Sequence, residues 1–413
     1  MTDTTDEATT AALLFNPFEA GYTENPYDQY RRLREDDPVR PSPLGGWQVF
    51  DYDDCFRLLR EPGTSVEDQN VLNPTFRNDA FERIAAEQGM ESWENRSILN
   101  LDPPDHTRLR KLVARVFTPR AIEQLRPEVQ RMVDEALADI GSGDTFELIS
   151  TLAFPLPFRV ISFMLGMPDG DTEQLRDWSH TLAGTLDPVL DDAFYEEAFA
   201  AAQAMREHLT QVVAWKREHP SDDLLTGMIE QHEDGDALTD EELLDQLELL
   251  FIAGHETTVN LIGNGMLQLL RHPDQLDRLS NDAGLLPNTV EECLRFDPPV
   301  QMTRRITMAP MELGEHTIEP GEFVMAMTAA ANRDPKRWGE DAESFDIGRD
   351  GANHHLAFGS GIHHCLGAAL ARLEGQVAIG TLVDRFPDLA LDGEPVHNGR
   401  IILRGLDALP LHT

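Results

Sequence analysis

The sequence predicts a mainly α-helical fold with a minor β portion. Three observations carry that prediction. Apolar residues recur at helical spacing from Asp105 to about Gly166, in RLRKLVARVF and in AIEQLRPEVQRMVDEALADI. A second helical pattern runs from Thr239 almost to Pro273, roughly 33 residues, or about 50 Å at the α-helical rise. Short strands follow it: RRITM, MELGEHTIE and EFVMAM, with Pro320-Gly321 as the turn between the latter two.

The elements can be justified in order. Residues 1–12 read as a disordered tail, and 13–413 as a single domain. A helix around Pro26–Asp36, an extended GGWQVFDY and a helix in DDCFRLLRE alternate between Pro17 and Arg60. Residues 62–100 are polar and Asn-rich, a long loop with short helical pieces; such loops are usually functional or disordered. Residues 172–230 continue as helices between polar turns. The acidic stretch EQHEDGDALTDEELLDQLE reads as a solvated loop and helix start rather than a partner site. Thr239 and Glu242 form a capping box for the long helix. Its middle, LELLFIAGHETTVNLIG, is apolar on nearly every side and should be buried. A helix over Leu286–Phe296 ends at Asp297-Pro-Pro, and residues 331–362 read as irregular loop. The last helix starts at Cys365 and runs to about Arg385, and short strands close the chain.

Composition excludes several classes. Lys and Arg number 34 against 74 Asp and Glu, a formal charge of −40, which opposes general affinity for nucleic acid or anionic membranes. Hydrophobic residues at 41% rule out a disordered chain. Three cysteines, Cys55, Cys293 and Cys365, are too few for a disulfide scaffold or a four-Cys metal site. The acidic N-terminus lacks a signal-peptide pattern, and no run of about 18 apolar residues occurs, so the expected compartment is the cytoplasm.

Four stretches could carry chemistry. Cys365 lies among Gly359, Gly361 and Gly367 just before a helical run, where amides and the helix dipole favour a thiolate. A lone cysteine is otherwise a small buried hydrophobe. Within the long helix, His255, Glu256, Thr257 and Thr258 interrupt the apolar pattern. His-Glu-x-x-His fails as a reading, because the fifth residue is Val259. Two readings stand about level. In one, the threonines bond back to carbonyls at i−4 while His255 and Glu256 face a solvent channel. In the other, the small Ala253 and Gly254 open a cavity where ligand and water meet the helix. Glu292 and Arg295 form an i,i+3 pair, common and usually weak. From His106 to Ile122 there is no acid and there are five cations, Arg108, Arg110, Lys111, Arg115 and Arg120; His106 and Arg110 share a face and could grip one anion.

Together, in this order and spacing, the four stretches resemble the cytochrome P450 family in its soluble bacterial form. The likeness spans essentially the whole chain. The family's Cys loop, Phe-x-x-Gly-x-His/Arg-x-Cys-x-Gly, reads Phe358, Gly361, His363, Cys365 and Gly367. Its long-helix pattern reads AGHETT, and its Glu-x-x-Arg pair reads Glu292 and Arg295, with Arg349 as third partner and Arg333 as a competing candidate.

The resemblance implies a helical triangular prism around a buried haem b. It implies that Cys365 is the thiolate ligand of iron, with Phe358 packed on the proximal side. His106, Arg110, Arg305 and His363 are the implied propionate contacts, with His355 as a helper. Thr257 and Glu256 match the proton-delivery pair, and Ala253 and Gly254 leave room for oxygen. Glu292 and Arg295 are implied to be structural. The implied reaction inserts one atom of O₂ into a hydrophobic small molecule, as hydroxylation or epoxidation. No flavin, nicotinamide or iron–sulfur pattern is present, so electrons are expected from a separate ferredoxin docking near Arg108, Lys111 and Arg115. The expected substrate pocket holds Ile98, Ala253, Val300, Met302 and Ile402. A haem-thiolate gas or ligand sensor and an H₂O₂-driven peroxygenase are the alternatives; neither needs Thr257 and Glu256. A zinc hydrolase on the histidines His354, His355, His363 and His364 would leave AGHETT unexplained.

Overall fold

The computed structural model describes residues 14–42, 45–72, 80–88, 96–114, 117–168, 172–188, 191–230, 232–233 and 236–413. The expected tail over residues 1–12 and Arg115 lie outside these residues. The helices are α1 (Tyr27–Asp36), α2 (Tyr52–Arg60), α3 (Ala80–Glu87), α4 (Asp105–Ala114), α5 (Pro119–Glu123), α6 (Arg126–Ala136), α7 (Pro155–Met164) and α8 (Thr172–Gly184). They continue as α9 (Asp192–Glu218), α10 (Leu224–Glu230), α11 (Asp240–Arg271), α12 (Pro273–Asn281), α13 (Leu286–Phe296), α14 (Thr328–Ala331), α15 (Pro335–Trp338) and α16 (Ala368–Arg385).

The main sheet has the order β1-β2-β10-β7-β3, from Val39–Pro41, Trp47–Val49, Phe323–Ala326, Thr303–Thr307 and Thr64–Ser65. Strand β10 runs parallel to β2 and antiparallel to β7, and this register sets Arg305 opposite Val324. A second sheet joins β4 (Thr145–Glu147) to the C-terminal β14 (Pro410–His412) and β11 (Ala390–Leu391). The remaining strands are paired hairpin pieces: β5 (His232–Glu233) with β6 (Asp236–Ala237), β8 (Met311–Leu313) with β9 (His316–Ile318), and β12 (Val396–His397) with β13 (Leu406–Ala408).

The long helix α11 is the axis of the fold. Its capping box is formed: Thr239 Oγ1 accepts from the Glu242 N–H, and Glu242 Oε2 accepts from the Thr239 N–H. Every residue from Val259 to Leu269 is buried, with α7, α8, α13 and α16 packed around it. Small residues permit this closeness; a Cβ on Gly375 of α16 would lie 3.2 Å from Leu261. Where the helix turns polar, His255 is sealed rather than open to a channel. Its Nε2 lies 2.9 Å from the Phe154 carbonyl and its Nδ1 3.1 Å from Ser179 Oγ.

Three local readings of the sequence change. MELGEHTIE is the hairpin β8–β9 rather than one strand, because Gly314 takes φ +54° and reverses the chain. The final helix starts at Ala368, with Gly367 as its cap, so Cys365 sits in the loop before it. Strand β4 interrupts a stretch of helical periodicity, because the C-terminal β14 pairs with it and Glu147 Oε1 accepts the Leu409 N–H at 2.7 Å.

The Glu-x-x-Arg pair is fully buried in α13. Arg295 grips Glu292 through two bonds, 2.7 and 2.8 Å, and donates to the carbonyls of Asn332, Ala342 and Ser344. Arg349 Nε is the third partner, 3.3 Å from Glu292 Oε1. Arg333 instead binds the Phe296 carbonyl and Glu343.

Two predictions follow from this burial. Glu292→Ala leaves the Arg295 charge uncompensated and should cost about 3–5 kcal/mol in urea unfolding, far more than a surface pair. Burial lowers the His255 pKa to about 4, while the unfolded value is near 6.5. The unfolded chain therefore binds the extra proton between those values, and stability falls as pH drops through that window, by up to roughly 3 kcal/mol. Urea midpoints measured from pH 7 to 4 should fall less steeply in His255→Gln than in the parent protein.

Candidate functional site

The loop before α16 is shaped by glycine. Gly359 and Gly361 take φ +66° and +73°, and a Cβ on Gly361 would lie 2.5 Å from the Leu59 carbonyl of α2. Only glycine fits where the loop meets that helix end. The loop closes on itself through the Cys365 N–H to the Phe358 carbonyl, 2.9 Å. Cys365 is exposed, and it opens onto a cavity of about 2140 Å³. Packing around the thiol raises its pKa, while the Gly367 N–H and the charges of Arg110 and Arg372 pull it down. Arg372 was not singled out by sequence. It lies over the Phe358 ring at 4.5 Å and is anchored by Glu291 at 2.6 and 3.0 Å.

Ala253, Gly254, Thr257 and Thr258 of α11 form part of the cavity wall. Thr257 Oγ1 donates to the Ala253 carbonyl at 2.7 Å, so its oxygen still has accepting capacity. Gly254 also serves packing, since a Cβ there would lie 2.8 Å from Ile161. The pocket residues expected from sequence, Ile98, Ala253, Val300, Met302 and Ile402, all line this one cavity.

Glu256 turns away from the cavity. Its carboxylate is buried and turned toward α8 and the C-terminal segment: Oε2 is 2.9 Å from His180 Nδ1 and Oε1 is 3.6 Å from Arg400 Nη1. The hydrogen bond from His180 and the Arg400 charge outweigh its burial and lower its pKa. It is not part of the cavity wall. Neither His180 nor Arg400 carried a sequence signal, because each meets Glu256 only through the tertiary fold.

At one end of the cavity Arg110, Arg305 and His363 converge, with the His106 ring centroid 4.3 Å from that of His363. None of the four forms an ion pair among the described residues. Both ring nitrogens of His106 are buried without a partner. Burial, with Arg305, His106 and Arg110 nearby, lowers His363 to about 3, and burial lowers Arg305 to about 10. Asp102 pulls the His106 and Arg305 values up but ion-pairs with neither, and two arginines beside two imidazole donors are the complement of a group carrying negative charge. A flat cofactor bearing two carboxylates, held also by a sulfur, fits this donor set.

Other expected roles are revised. His355 is buried with Nε2 3.2 Å from Glu291, so it is committed there rather than to the converging cations. Arg108 pairs with Glu242 at the start of α11, which removes it as a free docking charge. Among the described residues no group of three or more His, Cys, Asp or Glu is placed to hold a metal ion, so the histidines around the loop do not form a zinc site.

Comparison with known proteins agrees with this geometry. Residues 66–398 match the family model described as Cytochrome P450. The chain is 42% identical over 402 residues to the cytochrome P450 monooxygenase PikC of Streptomyces venezuelae, covering 94% of this chain and 91% of that one. It is 40% identical over 402 residues to the vitamin D(3) 25-hydroxylase of Pseudonocardia autotrophica, covering 95% of each. The solved structure of P450BioI, in complex with acyl carrier protein ligated to hexadec-9Z-enoic acid, matches with a TM-score of 0.87 at 35% identity, over 96% of this chain and 100% of that one. With a cysteine loop, a cavity and a cluster of arginine and histidine side chains that fit haem b, the chain belongs to the cytochrome P450 family and is a haem-thiolate monooxygenase.

Proposed function

We propose that the protein hydroxylates or epoxidises a hydrophobic small molecule, with residues 13–413 acting as one catalytic unit in the cytoplasm. The observation that carries this reading is that Cys365, Thr257 and the expected pocket residues face one cavity. The relatives, a vitamin D(3) hydroxylase and an enzyme bound to a fatty-acyl carrier protein, support an apolar substrate. Among the described residues no helix is long and apolar enough to cross a membrane.

When bound, haem b supplies oxygen activation and transfer of one oxygen atom, the other leaving as water. Cys365 is the residue we assign as its iron ligand, steadied by the Gly367 N–H and by Arg110 and Arg372. His106, Arg110, Arg305 and His363 would hold its carboxylates through charge-assisted hydrogen bonds. Phe358 shields the sulfur side, and Ala253 and Gly254 keep the opposite wall thin. Thr257 accepts a hydrogen bond from water in the cavity and orients it. Glu256 is the acid nearest that hydroxyl in the chain, and its partner His180 is 43% exposed, which connects the pair to bulk water.

Electrons come from a separate ferredoxin in this reading. Its docking face is the rim of the cysteine loop, where Ile362 and His364 are exposed beside the exposed Lys111 of α4. Arg110 ties the two elements together through the His364 carbonyl.

Thr257→Ala should keep the substrate-induced spin-state shift but lower product formed per electron consumed by roughly tenfold or more. Unchanged coupling would remove Thr257 from proton delivery. Cys365→Ser should abolish oxygenation and the thiolate type of reduced carbon-monoxide spectrum. Lys111→Glu should slow iron reduction by ferredoxin severalfold with unchanged substrate affinity, an effect that fades at high salt. Equal reduction rates in stopped flow would place docking elsewhere.

A further inference from the structure

The walls of the cavity contain more charge than an apolar substrate needs, and most of it is already spent. Arg83 pairs with Asp192 at 2.7 Å, Arg96 with Asp105 at 2.7 Å, and Arg304 with Asp68. Arg110 and Arg305 lie at the cofactor end. Asp187 accepts the backbone N–H groups of Ile401 and Ile402 at 3.1 and 2.9 Å.

Glu248 is different. It lies on α11 in the cavity wall, with its side chain only 6% exposed. Among the described residues its one ion-pair partner is Arg206 of α9, at 3.0 Å. That guanidinium is shared: the same Nη1 holds Asp245 at 2.8 Å, and Nη2 holds Glu241. Asp245 also receives the Arg96 N–H at 3.0 Å, so it is well satisfied. Three carboxylates on one guanidinium leave this part of the wall under-neutralised, and Glu248 is the member that reaches the cavity.

Resting on the reading of this cavity as the substrate site, we propose that Glu248 is a specificity-determining residue that anchors a cationic amine of the substrate. Helix geometry fixes the spacing. Glu248 precedes Ala253 by five residues and Thr257 by nine, about 7.5 and 13.5 Å along the axis. The substrate then carries its amine roughly that far from the carbon that is oxidised, with an apolar body between.

The charge balance favours a cation over a neutral hydroxyl. Burial is the largest influence on Glu248 and lifts its pKa to about 7, against the pull of Arg206 and with Asp245 and Glu241 adding to the rise. A cation brought beside it would hold it as the carboxylate. A neutral alcohol gives no such gain. Binding of a cation should therefore strengthen as pH rises through 7 and weaken below it.

The test uses the haem-loaded protein with decyltrimethylammonium, a fixed cation that cannot coordinate iron, beside 1-decanol and decanoate. Dissociation constants are read at pH 8 by spin-state shift and by calorimetry. The cation should bind about tenfold more tightly than decanol, with decanoate weakest. Glu248→Gln should bring the cation to within about twofold of decanol and leave decanol unmoved. Glu248→Asp, which keeps the charge, should retain the preference. Between pH 8 and 6 the cation's affinity should fall severalfold in the parent protein and stay flat in Glu248→Gln. A cation preference that survives Glu248→Gln overturns the anchor, since the field of the whole acidic chain would then explain it. An equal loss for decanol overturns it too, by showing a packing role. If decanol still shifts the spin state, only the anchor has failed; if none of the three probes does, the reading of the cavity falls and the anchor falls with it.

Discussion

A single buried guanidinium ties the site to the fold. Arg295 has no exposed surface, and each of its nitrogens is bonded: to Glu292 in its own helix, and to three carbonyls in the segment between Asn332 and Ser344. Asn332 continues the chain of contacts, its side-chain oxygen accepting the Leu356 N–H at 2.7 Å. Leu356 opens the loop that ends at Cys365. The path from α13 to the sulfur is thus a series of satisfied hydrogen bonds through a segment with only short helical turns. Irregular backbone can be held rigidly in this way, because a buried charge makes every unmade bond expensive. Glu292 also accepts the Asp346 N–H and meets Arg349, so its carboxylate fixes the chain just beyond that segment.

The parts of the site that were legible in the sequence are those where chemistry and spacing coincide locally. The cysteine loop, the AGHETT interruption and the Glu-x-x-Arg pair are each shorter than a dozen residues. Each is read from adjacent residues, and the capping box at Thr239 formed as its pattern demands. The choice between Arg349 and Arg333 was not local. It depends on which arginine the fold carries to Glu292, and Arg333 is drawn instead to the Phe296 carbonyl, with its guanidinium over the rings of Tyr27 and Phe296. Arg108 shows the same limit, since a cation in a basic run is indistinguishable by sequence from one whose partner lies 134 residues away. Strand β4 escaped for a related reason, its partner being the far end of the chain.

The chain bears a formal charge of −40, yet it gathers two arginines and two histidines at one end of its cavity. Burial is the largest cause of the lowered pKa values of His363 and Arg305, and at His363 the nearby Arg305, His106 and Arg110 add to it. Among the described residues none of the four is ion-paired to an acid, although Asp102 lies near enough to raise the His106 and Arg305 values. That arrangement would stabilise a bound dianion by attraction. It also separates cofactor recognition from substrate recognition, because the wall near Glu248 has the opposite imbalance. The wall near Glu248 and the arginine–histidine cluster thus differ in charge within one cavity.

Helix α11 links these functions through its periodicity alone. Successive residues of an α-helix point about 100° apart, so three consecutive side chains face three directions. His255 points to α7 and α8, where Phe154 and Ser179 hold it. Glu256 points to His180 and Arg400. Thr257 points into the cavity. A polar run that looks like one cluster in the sequence is thus a divider between a structural contact, a carboxylate paired with His180 and a hydroxyl that faces the cavity. Replacing any one by an apolar residue would leave a different neighbour unsatisfied, and shifting the run by one position would send the wrong group to each. The same geometry puts Glu248 about two turns upstream of these three residues on the helix.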